Sequence, residues 1–597
     1  MQRLAPIAFT LSASFAFEIA SVALAADALS IRDIAPSNAL LVLGADDIRG
    51  SIDRLGPTAF GRMWADPALA EDVKKLKEEF EKGIVEAAAE AGIAREDITW
   101  PSSAGLAVLT DVDEELGLPS VEFVFFFDWS AEAEKAAKLC DAIVEKMQRD
   151  AKESGNEMKA DEIRGRRVLI SSAASDDAAA GDAGDGMDGE FEEDFSPFGP
   201  MPDFGPKGFV ITSDKGRLFA SSSKESMDML LGRVDGDRTK SIGDETTFKE
   251  AVELSGGTQD VYAVLATDAA KPLLSVMPQY VLVEPFVQKL FGDIKAWSFG
   301  FHAKDGVLET ASGIYVPGGK AGLLSLIETS SELKPAPSIV PSDALSYGRM
   351  NVRFDKIVGM LDEIIGGLPA EQGDMIKPQL DIYRPAMTAA FAAMGPEMHI
   401  WSIAPEAGAI EAPAPVFAIA MKNDKDSAAA VSDLINLFPL GLQSRDFNGM
   451  TILSDEFAPV AVGIGGGYMV IGEVKQVEQA LRSVDAKGEA GLAGDAQYAA
   501  ALAAMPKDPV VGAAWFNITR AMESSAVESM VEQVGGMAQI DDQEVPGLGV
   551  GMDEVSGLFD LMKPEVLKRC FGDAMLDFKT TSKGFATSYR VLPAAAK

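Results

Sequence analysis

Acid–base or nucleophilic chemistry near neutral pH usually starts from histidine, and the sequence holds two, His302 and His399. His302 sits in "AWSFGFHAK", four residues after Ser298 and on the same strand face, with Trp297, Phe299 and Phe301 on the other. Four residues of strand span about 13 Å, beyond hydrogen-bond reach, so these two side chains do not form a Ser–His pair. His399 shares a face with Trp401 and Ile403. Both histidines are expected to be structural. A Ser–His–Asp triad would have to assemble across distant parts of the chain from single copies.

Other catalytic signatures are missing. The G-x-S-x-G elbow has its nearest approach in "AWSFG" around Ser298, inside a strand instead of at a strand-to-helix turn. No H-E-x-x-H, C-x-x-C or G-x-x-x-x-G-K-[ST] occurs. The run "GIGGGYMVIG" from Gly463 to Gly472 places Tyr468 where a dinucleotide fingerprint needs its third glycine, and reads as a hairpin turn.

Carboxylates are the remaining source of chemistry. The segment 173–207, "AASDDAAAGDAGDGMDGEFEEDFSPFGPMPDFGPK", carries ten acidic residues and one lysine. Asp182, Asp185, Asp188 and Glu190 are its candidate calcium ligands, because calcium takes hard oxygen donors. The EF-hand register fails: with Asp185 and Gly186 at positions five and six, Gly181 and Ala183 replace ligands one and three. A solvated acidic loop is the expectation, with weak calcium binding as the alternative. Asp46, Asp47 and Asp111 are candidates for a carboxylate-dependent hydrolase site between two halves of the chain.

The elements that would position these residues are those of an ordinary globular protein. The 597 residues exceed one core, and 47% are apolar against 24% charged. The formal net charge of −39 repels phosphate backbones and anionic lipid, so neither nucleic acid nor polybasic docking at membranes is expected. Residues 1–25 read as an export signal, with Arg3, an apolar stretch and "ALA" at Ala23–Ala25, giving a periplasmic or secreted protein with no transmembrane segment once cleaved. Of the two cysteines, Cys140 falls on one helical face with Ala136, Ile143, Val144 and Met147. Buried free thiols are expected for Cys140 and Cys570, with one bridge between the halves as the alternative.

The chain also repeats itself. "PSNAL" at 36 returns as "PSDAL" at 341, "IRGRRVLIS" at 163 as "FNGMTILS" at 447, and "FGDIKAWSFGF" at 291 as "FGDAMLDFKTT" at 571. From the last pair, His302 matches Ser582. Strand-like runs joined by hairpin-length loops alternate with long helices, one starting at Asp66–Pro67 with an N-cap and a proline at its first position. The fold expected is α+β: two tandem homologous modules, 26–325 and 341–597, joined by a linker at 326–340. Each is an antiparallel sheet with long helices over one face. This block order resembles secreted bacterial proteins built on a domain of unknown function, here as a tandem repeat. That resemblance implies the fold and brings no catalytic residues.

The halves diverge at 173–207 and at 520–560, where Met522, Met530, Met537, Met552 and Met562 could line an adaptable apolar groove or fill a core. The function expected is therefore a non-catalytic binding protein for an unknown protein or a small apolar ligand. The alternatives are the carboxylate hydrolase and a calcium-responsive structural protein of the envelope.

Overall fold

The period-two runs form strands because their alternate residues are apolar and bounded by turn formers. A computed structural model of the chain describes residues 29–90, 92–95, 98, 100–112, 119–153, 158–172, 208–237, 240–258, 260–275, 288–327, 331–368, 370–403, 414–437, 442–454, 460–485, 491–505, 507–523 and 563–594. The first ten strands are β1 (Ala39–Ala45), β2 (Ser103–Val112), β3 (Pro119–Asp128), β4 (Met158–Ile163), β5 (Arg166–Ser172), β6 (Gly208–Asp214), β7 (Arg217–Ser221), β8 (Val261–Ala266), β9 (Ala296–Lys304) and β10 (Val307–Tyr315). The second ten are β11 (Ala344–Asn351), β12 (Met394–Ile403), β13 (Pro415–Met421), β14 (Gln443–Phe447), β15 (Met450–Ser454), β16 (Val460–Gly465), β17 (Tyr468–Glu473), β18 (Gly512–Asn517), β19 (Phe571–Thr581) and β20 (Gly584–Pro593).

All pairings are antiparallel. The first ten run β4-β5-β6-β7-β3-β2-β1-β8-β9-β10. The second ten run β14-β15-β16-β17-β13-β12-β11-β18-β19-β20, the same order with ten added to each number. β10 pairs with β20, so one antiparallel sheet of twenty strands results, in an α+β fold.

Local details recur with the order. Arg164 and Gly165 turn β4 into β5 with φ of 51° and 75°; Asn448 and Gly449 turn β14 into β15 with 55° and 78°. Two successive positive φ angles make the turn whose twist suits a two-residue hairpin. In "PSNAL" the Ala39 N–H donates to the Pro36 carbonyl, and in "PSDAL" the Ala344 N–H donates to that of Pro341. Both alanines are buried and both precede a register irregularity, at Ala39/Leu41 and Ala344/Ser346. The carbonyl just before each pentapeptide, of Ala35 or Val340, accepts from the start of a short 3-10 helix at Ile242 or Leu492. The pentapeptide is thus a strand entry.

Helices pack on both faces of the outer strands, which corrects the expectation of helices over one face alone. On one face, helices Lys224–Val234 and Thr246–Leu254 pack on Val42, Phe126, Phe219 and Tyr262. In the second half, Val474–Asp485 and Ala496–Ala504 pack on Tyr347, Trp401 and Val470. On the opposite face, helix Ala133–Glu153 packs on Phe127, Leu218 and Ile211, while Ile357–Ile365, Ala370–Ala393 and Asp424–Asn436 pack on Ile419, Met469 and Leu453. A strand buries both of its faces where helices stand on both, so β5, β6 and β7 and their counterparts β15, β16 and β17 are apolar on two sides. Residues Ala336, Ile339 and Val340, expected in a linker, are buried in the second-half core.

Further contacts tie the halves together. Phe60 meets Phe571 edge-on at 4.9 Å between ring centres, Arg569 pairs with Asp66 at 2.9 Å, and Lys563 pairs with Asp72 at 2.7 Å. Across the seam, Arg590 pairs with Glu309 at 3.0 Å and with the buried Asp577 of β19. Replacing Arg590 with alanine strands a carboxylate that has only Lys579, 3.8 Å away, as a second cation. Arg590→Ala should cost roughly 3 kcal/mol, read as a lower urea midpoint, and Arg590→Met with Asp577→Leu should recover most of it. Equal midpoints for wild type and Arg590→Ala would show that the seam does not depend on this pair.

Candidate functional site

The expected catalytic groups are occupied with structural work. Ser298 and His302 lie on β9 under helix Thr246–Leu254, where Ser298 Oγ donates to the Ala251 carbonyl and His302 Nε2 to that of Ser255, at 2.9 Å. A carbonyl only accepts, so the proton sits on Nε2, and the end of the helix gains a donor for a carbonyl it cannot satisfy internally. Gly300 between them lets the helix end approach, since a Cβ there would lie 2.4 Å from the Ser255 oxygen. Counted from the last pairs before the hairpin turns, Lys304–Val307 and Thr581–Gly584, His302 corresponds to Lys579 and not to Ser582. The FGD spacing misleads because β19 begins at Phe571, whereas Phe291 precedes β9 by five residues.

His399 is buried in an aromatic cluster. Its Nδ1 and the Tyr347 hydroxyl are 3.0 Å apart in a hydrogen bond, Tyr347 meets Tyr498 edge-on, and Tyr498 meets Trp515, whose Nε1 donates to Asp573 at 2.9 Å. Burial pushes the imidazole down to about 4, against the opposing pull of Glu397. The same burial raises the Asp573 carboxyl, and the Trp515 hydrogen bond opposes it.

Asp46 accepts from Ser30 Oγ at 2.7 Å, and burial raises its pKa. Asp47 caps helix Ile48–Leu55 through the Gly50 N–H and pairs with Arg54 at 3.1 Å. The Asp111 side chain lies outside the described residues, as do Asp182, Asp185, Asp188 and Glu190 and the methionines from Met530 to Met562. Met522 is described, and packs with Phe571 and Ile518. Among the described residues no group of three or more His, Cys, Asp or Glu is placed to hold a metal. Cys140 and Cys570 are free and buried in different clusters, and burial pushes the Cys140 thiol up to about 12.

What stands out is a face. Residues directly opposite in paired strands share a side of the sheet, so one row can be followed across nine strands. It runs from Val261 on β8 through Phe301, Tyr589, Leu576 and Ile400 to Phe417 on β13. Along these strands, from β8 and β9 through β10, β20, β19, β18, β11 and β12 to β13, no paired position on this side carries a charge. Their other side carries Glu309, Arg349, Asp577, Lys579 and Arg590. Trp297 and Phe299 are each 46% exposed on the uncharged side, Phe516 and Tyr589 are each 40% exposed, and Val261, Leu265, Ile400 and Phe417 are exposed too.

Eight strand spacings make this open face about 38 Å wide. The exposed apolar side chains present roughly 700 Å² to solvent, at or above the largest patch of a typical monomer. The helices named above stand over the strands on either side. At the ends of the central strands Leu308 and Val591 are buried against Phe60 and Phe571, and Phe585 against Leu324, so the open part is the middle of the face. The sequence signal was the odd-numbered row Trp297, Phe299, Phe301, which marks a strand apolar on its exposed side.

No family model and no curated protein matches the chain. Among solved structures, crystal form I of TP0453 aligns at 10% identity and a TM-score of 0.21, covering 51% of this chain and 88% of that one. Crystal form III of TP0453 aligns at 9% identity and a TM-score of 0.23, covering 52% and 90%. No helix among the described residues is long and apolar enough to cross a membrane.

The buried His399 has a measurable consequence. Its pKa is depressed in the fold, so the unfolded chain takes up the proton first, near the ordinary 6.5. Stability is present above pH 6.5 and is lost as pH falls toward 4, by up to roughly 3 kcal/mol. Melting temperature measured from pH 7 to 4.5 should fall in wild type and fall less in His399→Gln. Parallel curves would show that His399 is not buried neutral.

Proposed function

We propose that this is an exported, non-catalytic binding protein made of two homologous modules, and that its binding surface is the open face of the joined sheet. The observation that carries the reading is the uncharged row with its exposed Trp297, Phe299, Phe516 and Tyr589, in a chain of net charge −39. A solvated sheet face normally carries polar side chains. Exposed aromatic residues on β9, β20, β18 and β13 are a cost in water that a ligand removes. The repeated strand order, the matched turn angles and the matched strand entries support duplication, with modules at 26–325 and 341–597. The signal-like residues 1–25 support export to the periplasm or beyond.

The non-catalytic part rests on the work already done by the titratable groups. Ser298 and His302 dock a helix, Asp47 caps one, and Asp46 holds Ser30. Ligands of this face are apolar molecules or the apolar side of a partner.

Nile red, a neutral apolar dye, tests the reading without meeting the negative field. Wild type should bind it with enhanced emission. Phe299→Asp with Phe516→Asp should weaken binding at least tenfold and leave the melting temperature within a few degrees, because both side chains are already half in water. Unchanged dye binding in the double variant would remove the face as the site.

A further inference from the structure

We infer that the open face takes up the acyl chains of a lipid whose headgroup has no net negative charge. This rests on the binding role of that face and adds its ligand class.

Three observations select hydrocarbon over polypeptide. The floor offers a partner few hydrogen bonds: its backbone N–H and C=O groups are spent in the strand ladders, and what remains is a handful of hydroxyls such as Thr310, Ser312, Thr587 and Ser346. Protein partners bring about one hydrogen bond per 100–200 Å² of interface, and amides or charges laid here would be desolvated without partners. Hydrocarbon brings no such group. A second copy of the chain is disfavoured because helices flank the open strands on both sides, and two chains of net charge −39 would have to meet. Acyl chains fill half of an approximately 30 Å bilayer core, so each is about 15 Å long, and the 38 Å floor has room for more than one.

Charge then selects the headgroup. No Lys or Arg stands at a paired position of the open face in the nine strands. Lys320, which lies over the Phe585 ring at one end of it, already donates to the Thr581 carbonyl, so a fatty-acid carboxylate or a phosphatidylglycerol phosphate meets little positive charge there. The net charge of −39 repels both at distances up to the Debye length. A zwitterionic or uncharged ester lipid avoids that repulsion.

Trp297 is the reporter, because it is exposed on this face while Trp401 and Trp515 are buried on the other. Full-length protein is mixed with vesicles of phosphatidylcholine carrying brominated acyl chains, which quench tryptophan on contact. Wild-type emission should fall, Trp297→Phe should lose most of that quenching, and phosphatidylglycerol with the same chains should quench at least tenfold more weakly at low salt. Equal quenching in wild type and Trp297→Phe, or by both lipids at low salt, would overturn the inference. Nile red binding without quenching by either lipid would overturn the lipid and leave the binding face standing. Loss of both signals would end both.

Discussion

Eight consecutive residue pairs join β10 to β20, and without them each half would end in a bare strand edge. An open edge presents a row of unpaired donors and acceptors, which templates aggregation. Pairing the two edges satisfies them together and extends one sheet across the whole chain. It also fixes the relative placement of the halves, since a one-residue slip would send every side chain of one half to the wrong face. The two edges left over, β4 and β14, carry Lys159, Asp161 and Glu162, and Arg445 and Asp446, which discourage further pairing.

That seam sorts polarity between the two faces. On the closed side Glu309, Arg590 and Asp577 meet, and a buried carboxylate is tolerable there because a guanidinium and neighbouring donors reach it. His302, Ser298 and Asp573 survive on the same side for the same reason, each with a partner supplied by a packed helix or an indole. Among the described paired positions of the central strands, the open side has hydroxyls and no charge. The usual arrangement, polar residues on the solvated face and apolar ones against helices, is reversed at the centre of the sheet.

Much of the fold could be read from the residues. Alternation located most strands, the glycine-bearing turns located hairpins, and the repeated pentapeptide located two strand entries. The face assignment of Trp297, Ser298 and His302 also held, because period two is rigid along a strand. The β10–β20 pairing was not legible: a strand pattern says which residues share a face and not which distant strand lies alongside. The second helical layer was missed because strands buried on both sides differ little in composition from those buried on one. For the site, the sequence pointed to the 173–207 and 520–560 segments, where the two halves differ. Residues 173–207 and most of 520–560 lie outside the described residues, and the proposed face lies in strands of both halves, where its exposure is a property of packing.

Setting β9 and β19 side by side by their hairpin turns separates what the two faces require. At open-face positions Trp297 stands against Ala574, Phe299 against Leu576 and Phe301 against Phe578, and the residues stay uncharged. At closed-face positions Ser298 stands against Met575, Gly300 against Asp577 and His302 against Lys579, so polarity changes freely. A packed face can absorb such changes when a helix end, a guanidinium or a neighbouring strand supplies the new partner. A bare face exposed only to water would tolerate charge even more readily, since water solvates it at no cost. Packing accounts for the uncharged residues that are buried on this side, such as Leu308, Ala574, Phe585 and Val591, but neither folding nor solubility accounts for the exposed Trp297, Phe299, Phe516 and Tyr589. They follow if the face meets something that cannot solvate a charge, and that requirement falls on the central strands of both halves at once because the seam makes them one surface.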